Sequence, residues 1–292
     1  MQNLSHIEIS EICNQLGNSY PKSIRKIFGG NIHETWQIEF ENERFFLKRN
    51  IRKKEFLKFE EYCLRKLNDN IDSDNLIIPK VVSYLKVQEV ELLLMDWIDM
   101  YNGDQKKLGK GLGEMHLQSN QYNPEKFGFP IEGFIGTNKQ IEGWSNSWVE
   151  CFINLRIKPQ LSILGNNFID FQIKNKIYEK IESELNKHKP INSLIHGDLW
   201  SGNIGIDHNG KGVIFDPASW WADHEVDLAM TRLFGGFNEE FYEEYNKIIP
   251  IKDSFEKRVI IYNFYHVLNH ANMFGGSYFY QVQDYIRKII SL

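Results

Sequence analysis

Apolar residues fall at helical spacing over His6 to Leu16 and again over Arg52 to Leu67, where Phe56, Phe59, Leu64 and Leu67 recur on one face. Between them, Ile24 to Phe28, Thr35 to Phe40 and Arg44 to Lys48 are rich in aromatic and β-branched residues and predict strands. Leu76 to Tyr84 leads into Val90 to Met95, an unbroken apolar run that predicts a buried strand. The pattern is lost at Asp96-Trp97-Ile98-Asp99, which places a boundary between a β-rich unit, residues 1–97, and a larger, mainly helical one, residues 98–292. Helices are predicted over Leu108 to His116, Trp148 to about Leu164, Phe171 to His188, Asp227 into Phe234, Asn238 to Ile248, Ser254 to Met273 and Ser277 to Ile290. Phe127 to Gly136 reads as a loop rich in Gly and Phe, and the class is α+β. Gly109, Gly111 and Gly113 each cost a helix about 1 kcal/mol against Ala, so close packing against a neighbour is expected there.

The stretch that carries chemistry is Leu194 to Asn203, Leu-Ile-His-Gly-Asp-Leu-Trp-Ser-Gly-Asn. Gly197 permits a sharp bend after His196, and Asp198 and Asn203 stand five residues apart on one loop, the spacing of a kinase catalytic loop. Phosphoryl transfer needs a carboxylate to take the proton of the attacking hydroxyl and an oxygen ligand to hold Mg²⁺ on the nucleotide phosphates. Asp198 suits the first task and Asn203 the second. A bare His-Gly-Asp is also an ordinary turn, so context decides. Asn209-Gly210 is a strong turn signal; it makes Ile204 to Ile206 and Val213 to Phe215 a hairpin that returns Asp216 beside Asn203. Two such oxygen ligands suit Mg²⁺, which leaves its other positions to water and phosphate. Asp227 can accept hydrogen bonds from the catalytic-loop backbone near His196, or serve only as a helix N-terminal charge.

Upstream, Phe28-Gly29-Gly30-Asn31 lies in a strand-to-strand turn, where glycines let backbone N–H groups approach phosphates or simply make a hairpin. Lys48 follows the apolar Phe45-Phe46-Leu47, the position from which a kinase lysine meets the nucleotide phosphates. A carboxylate on the next helix would hold it; Glu60 is best placed, with Glu55 and Glu61 as alternatives. Met95, Asp96, Trp97 and Ile98 would present backbone groups to adenine. His266 and His270 stand four apart on one helix face. With no Glu beside His266 and no third ligand, the pair reads as structural or substrate-facing rather than zinc-binding.

With 292 residues, 42% hydrophobic and 25% charged, the chain has the composition of an ordinary globular protein with room for two units. The net charge of -5, from 34 basic and 39 acidic residues mixed along the sequence, argues against nucleic acid or an anionic membrane as partner. No stretch approaches the length of a transmembrane helix, and Met1 to Ser10 lacks a signal-peptide pattern. Cys13, Cys63 and Cys151 are too scattered for a disulfide framework or a metal motif, so a reduced, cytoplasmic setting is expected. The sequence sets no oligomeric state.

Together these stretches resemble the fructosamine kinase family, or ketosamine-3-kinases, whose fold is similar to that of aminoglycoside phosphotransferases and protein kinases. The most specific matches are His196 to Asn203, Leu233-Phe234-Gly235-Gly236-Phe237 and Asn269-His270 through Gly276. The resemblance implies a two-lobed protein-kinase-like fold, ATP and Mg²⁺ as cofactors, and phosphorylation of the sugar 3-hydroxyl of a ketoamine, protein-bound or free. Ribulosamines are expected to be favoured over fructosamines, and the phosphorylated adduct falls apart, so the implied role is deglycation. The resemblance suggests Asp198 as base, Asn203 and Asp216 as Mg²⁺ ligands, Lys48 with Glu60 on the phosphates, and Met95 to Ile98 as the hinge. Two departures stand out. The glycine loop has no cysteine where some members carry one for redox-linked dimers, and Trp220-Trp221-Ala222-Asp223-His224-Glu225 replaces a common Tyr-Tyr-Gly-Asp-Arg-Glu. A Trp220 face beside Asp223 and Glu225 would suit a sugar on a cationic amine, so Trp220, Asp223 and His270 are expected at the substrate mouth. The alternatives are a kinase for another small alcohol or aminoglycoside, and a non-catalytic nucleotide-binding protein on the same fold.

Overall fold

The computed structural model describes residues 3–27, 32–122, 125–165 and 168–292. In chain order it begins with α1 (His6–Leu16), β1 (Ser23–Ile27), β2 (Glu34–Glu39), β3 (Arg44–Asn50), α2 (Phe56–Asp69), β4 (Leu76–Ile77), β5 (Val81–Val87) and β6 (Val90–Asp96). Next come α3 (Lys106–Ser119), the short strands β7 (Phe127–Phe129), β8 (Gly133–Ile135), β9 (Asn138–Gln140) and β10 (Gly143–Ser145), then α4 (Trp148–Phe152), a π-helical turn (Ile153–Ile157), α5 (Lys158–Leu164) and α6 (Phe171–Leu185). The remainder holds β11 (Asn192–Ile195), β12 (Ile204–Ile206), β13 (Gly212–Ile214), β14 (Trp220–Asp223), α7 (Glu225–Leu233), α8 (Glu239–Ile248), α9 (Phe255–Phe274) and α10 (Ser277–Ser291). The chain forms two compact units, Met1–Asp69 with Ile78–Met100, and Asn70–Ile77 with Tyr101–Leu292. Residues Asn70–Ile77 belong to the second unit because β4 pairs in parallel with β13, Leu76 against Gly212 and Ile77 against Val213.

The first unit is an antiparallel sheet in the order β1-β2-β3-β6-β5. Helix α1 starts with a capping box, in which Ser5 and Glu8 satisfy each other's backbone N–H. It lays Ile9, Ile12 and Cys13 on Trp36, Ile38, Phe45, Leu47, Leu92 and Leu94. Strand alternation puts Phe45, Leu47 and Arg49 on that face, and the Arg49 guanidinium closes its rim on Glu8 at 2.7 Å. Lys48 therefore points to the opposite face, toward α2.

The second unit contains a sheet ordered β10-β7-β14-β11, the sheet β12-β13-β4 and the hairpin β8-β9. Phe127 to Gly136 is not a plain loop: it holds β7, which pairs with β10 and with the distant β14, and β8, which turns back on β9 in a tight hairpin between Ile135 and Asn138. The helix expected from Trp148 to Leu164 is continuous but π-helical in its middle, at Ile153–Ile157. The α3 glycines do permit close approach. A Cβ at Gly109 would lie 2.1 Å from the Phe241 carbonyl of α8, at Gly111 2.7 Å from Leu76, and at Gly113 2.9 Å from Ile248. Among the described residues, no helix is long and apolar enough to cross a membrane. Cys13, Cys63 and Cys151 are all buried thiols.

Candidate active site

Strand β11, buried along its length, delivers the chain to His196, and the backbone turns at Gly197 with φ 85°. A Cβ at Gly197 would lie 2.1 Å from the Ala218 carbonyl, so glycine is required twice over, by conformation and by space. The fully buried His196 donates from Nε2 to the Phe215 carbonyl at 2.9 Å, and its Nδ1 accepts from the Asp198 N–H at 3.3 Å. Those partners assign a neutral imidazole, and burial pushes its pKa down accordingly. Asp227 accepts the N–H of His196 at 2.7 Å and of Gly197 at 2.8 Å, one on each carboxylate oxygen. The loop's bend is thus clamped from both sides.

Beyond the bend, Asn203 Nδ2 donates to the Asp198 carbonyl at 2.9 Å and approaches its carboxylate at 3.4 Å. Strands β12 and β13 form the antiparallel hairpin, and the Phe215 N–H donates to the Asn203 carbonyl at 3.1 Å, which sets Asp216 beside Asn203. Asp216 has φ 60°, a left-handed conformation unusual outside glycine and of a kind that clusters at functional sites. Burial pushes the Asp198 carboxyl up to about 7, and the like charge of Asp216 adds to this. A base poised near neutrality is what proton abstraction from an alcohol requires. With its amide nitrogen committed to Asp198, Asn203 keeps its amide oxygen as an acceptor, and Asp216 directly follows Phe215, whose N–H bonds the Asn203 carbonyl. This all-oxygen donor pair fits Mg²⁺.

Behind Asp227 lies an arrangement that sequence reasoning missed. His116 of α3 is fully buried and contacts Asp227 Oδ2 through Nε2 at 3.1 Å and the Tyr245 hydroxyl through Nδ1 at 2.8 Å. The same hydroxyl lies 2.8 Å from His224 Nδ1. A carboxylate only accepts, so His116 Nε2 carries hydrogen and a neutral His116 presents a bare Nδ1. Tyr245 then donates to His116 and accepts from His224, whose pKa burial pushes down to about 3. Burial alone would raise the Asp227 pKa, but the hydrogen bonds it accepts from His116 and from the Gly197 N–H hold it below the usual carboxylate range. The only sequence signal for this chain is a histidine at an apolar-phased position of α3.

In the first unit, Lys48 Nζ meets Glu60 Oε1 at 2.6 Å in a buried pair. Glu55 instead engages Lys58 and Lys86, and Glu61 engages Arg65. Met95 is buried at the end of β6; the Asp96 N–H donates to Lys80 O, its carboxylate accepts the Lys80 N–H at 2.6 Å, and the Trp97 N–H donates to Arg44 O. Ile98, the next residue, is half-buried. Gly29, Gly30 and Asn31 lie outside the described residues.

Trp220 and Asp223 do not face a substrate mouth. Both are fully buried in β14, a strand paired on both sides by β11 and β7. The Trp220 ring stacks on Trp148 at 5.6 Å and has the Arg156 guanidinium 4.0 Å from its centroid, so protein covers it. Asp223 is engaged by His188 at 2.8 Å, Tyr262 at 2.6 Å and the Glu225 N–H, while Glu225 pairs with Arg258. The cation expected over Trp220 is present, but it is the protein's own. His270 is half-buried and donates from Nδ1 to the His266 carbonyl at 2.8 Å.

A carboxyl of raised pKa at the bend of a clamped loop, an Asn and an Asp at a hairpin end, and an α+β chain with a buried Lys–Glu pair are the features of a phosphotransferase of the protein-kinase-like fold. The fructosamine kinase model matches residues 5–292, and the chain belongs to that family. It is 34% identical over 267 residues to a protein of Vibrio parahaemolyticus assigned as a ketoamine kinase, covering 91% of this chain and 92% of that one. It is 35% identical over 210 residues to the chloroplastic protein-ribulosamine 3-kinase of Arabidopsis thaliana, covering 68% and 62%. Among solved structures, one assigned as a fructosamine-3-kinase from Haemophilus somnus superposes with a TM-score of 0.84 at 27% identity, covering 96% of each chain.

Proposed function

We propose that the protein transfers the γ-phosphoryl group of ATP to the 3-hydroxyl of a ketoamine. The observation that carries this reading is Asp198, raised to about 7 and set beside Asn203 and Asp216 in a chain of this family. Asp198 takes the proton of the sugar hydroxyl as its oxygen bonds to the γ-phosphorus. The bond to the β-phosphate oxygen breaks, and ADP leaves with the electron pair. Asn203 and Asp216 would hold Mg²⁺, whose charge when bound neutralises the phosphates. Lys48, held by Glu60, would meet those phosphates. Met95, Asp96, Trp97 and Ile98 would serve adenine, and Gly29, Gly30 and Asn31 would close on the phosphates. His196 and Asp227 fix the loop that carries the base.

The product bears phosphate on the carbon next to the ketone. Once the neighbouring enaminol forms, it loses inorganic phosphate, and water then releases the amine, which would make the reaction a deglycation. A lysine peptide carrying ribulosamine or fructosamine, incubated with protein and Mg-ATP and read by mass spectrometry, tests the reading. The adduct should gain one phosphate with the unmodified protein and none with Asp198→Asn. Absence of phosphate on both adducts, while ATP still binds, sinks the substrate assignment.

A further inference from the structure

Glu91, the second residue of β6, is a carboxylate only 2% exposed, and no lysine or arginine pairs with it among the described residues. An unpaired buried charge is costly, so its surroundings matter. It accepts four hydrogen bonds, all from neutral groups. Oε1 takes the Lys58 backbone N–H at 3.0 Å and the Tyr84 hydroxyl at 2.9 Å; Oε2 takes the Leu57 backbone N–H at 3.3 Å and the Asn50 side-chain amide. Leu57 and Lys58 are the second and third residues of α2, and the first N–H groups of a helix have no partner within it. Helix α2 has no acidic residue in its own first turn, and Glu55 just before it turns away to Lys58 and Lys86. A carboxylate from the sheet therefore caps the helix and meets the positive end of its dipole.

The same carboxylate holds β3. Asn50 stands opposite Glu91 in the register of β3 with β6 and two residues beyond Lys48, so Lys48, Asn50 and Glu91 share the face turned to α2. Asn50 also accepts the Arg52 N–H at 3.0 Å and donates to the Lys54 carbonyl at 2.8 Å, which shapes the connection from β3 into α2. Glu60 lies less than one turn beyond Leu57 along α2 and meets Lys48 at 2.6 Å. One carboxylate thus fixes both elements that carry the Lys48–Glu60 pair.

We infer that Glu91 is a positioning residue for the nucleotide: by capping α2 and holding Asn50, it sets Glu60 against Lys48 and keeps the ammonium placed for the phosphates of ATP. This rests on the proposed role of that pair. With Glu91 altered, α2 spends part of its time displaced, and the apparent affinity for ATP falls with the fraction of molecules still competent. Glutamine at this position has the same shape but a single oxygen, and its NH2 group would face N–H and O–H donors.

The test is a double-mutant cycle read by calorimetric Mg-ATP binding at pH 7, with Glu91→Gln, Glu60→Gln and the two combined. Glu91→Gln should weaken Mg-ATP binding roughly threefold to tenfold, as a competent fraction of about 0.3 to 0.1 dictates, and leave the KM for a ketoamine unchanged. In the Glu60→Gln background the same change should weaken binding less than about twofold, because the pair it serves is already broken. Asn50→Ala cuts the β3 tie and spares the helix cap; it should show the same dependence on Glu60, and it decides the matter if Glu91→Gln does not fold. Asp170→Ala removes the side chain that caps α6 in the second unit by accepting the Ile173 N–H at 2.9 Å. It should lower the thermal midpoint without touching Mg-ATP affinity. An unchanged affinity in Glu91→Gln, a full effect in the Glu60→Gln background, or an equal loss in Asp170→Ala overturns the inference. A Glu60→Gln protein that binds Mg-ATP normally overturns it together with the proposed role of the pair. Failure to phosphorylate any ketoamine sinks the proposed reaction and leaves the result of the binding cycle standing.

Discussion

Replacing Asp198 with Asn should stabilise the protein as it abolishes its activity, and the pH at which each effect sets in is fixed by one ionisation. Burial and Asp216 raise the Asp198 carboxyl from 3.8 to about 7 in the folded chain. A folded-state pKa above the unfolded one means the folded chain binds the proton more tightly. The stability held by the protonated form is complete below the unfolded value and is lost as pH rises through about 7. Three pKa units at about 1.36 kcal/mol each set a ceiling of about 4 kcal/mol. Asp198 keeps part of its surface in solvent, and screening brings the expected value to about 1–2 kcal/mol. Asn cannot ionise and so escapes this loss. Its thermal midpoint, measured without nucleotide or metal, should match the unmodified protein near pH 4 and exceed it by roughly 2–8 °C at pH 8, with the gap opening between those limits. In the same titration, kcat/KM of the unmodified protein should rise with pH through about 7, while Asp198→Asn should show no such rise and should lie about 10²–10⁴-fold below the unmodified protein at pH 8. A variant no more stable at pH 8 than at pH 4, relative to the unmodified protein, would refute the buried-base argument.

Asp227→Ala leaves the N–H groups of His196 and Gly197 and the imidazole of His116 without their acceptor; chemical denaturation should show a loss of about 3–5 kcal/mol, with kcat falling more than KM rises. Glu60→Ala removes the carboxylate that the buried Lys48 meets at 2.6 Å, and should both lower stability by about 1–3 kcal/mol and raise the KM for ATP; a normal KM for ATP would detach this pair from nucleotide binding. Gly109→Ala places a Cβ 2.1 Å from a backbone carbonyl of α8, so the helices must part, and calorimetry should show about 1–3 kcal/mol of destabilisation where a surface Gly→Ala change in a helix would stabilise. Trp220→Phe removes area from the Trp148 and Arg156 stack and should lower the thermal midpoint without changing the KM for a ketoamine.

The helices and the strands of the first sheet were legible because each carries its own period and reaches its burial through that period. Lys48 and Asp216 were legible because an apolar strand fixes where the residue at its end points. The short strands β7 to β10 were not, since three residues carry no period of their own and β7 takes one partner, β14, from far along the chain. Trp220 and Asp223 misled for a related reason. Aromatic and acidic residues together look like a recognition surface, but the sequence gives no sign that Arg156, His188 and Tyr262 arrive from elsewhere to occupy them. His116 was hidden because a buried histidine and an exposed one read alike until Asp227 and Tyr245 are placed on either side of it.

The relay from His224 through Tyr245 and His116 to Asp227 has a direction, since each member can give only one hydrogen to the next. Tyr245 belongs to α8, an otherwise largely exposed helix with no residue in the catalytic loop. That helix is therefore a trimming screw for the loop. Changes there that preserve the fold but tilt Tyr245 would loosen the backbone beneath Asp198, so engineers who fuse tags or graft peptides onto α8 as a spare surface should expect their edits to be read out as turnover.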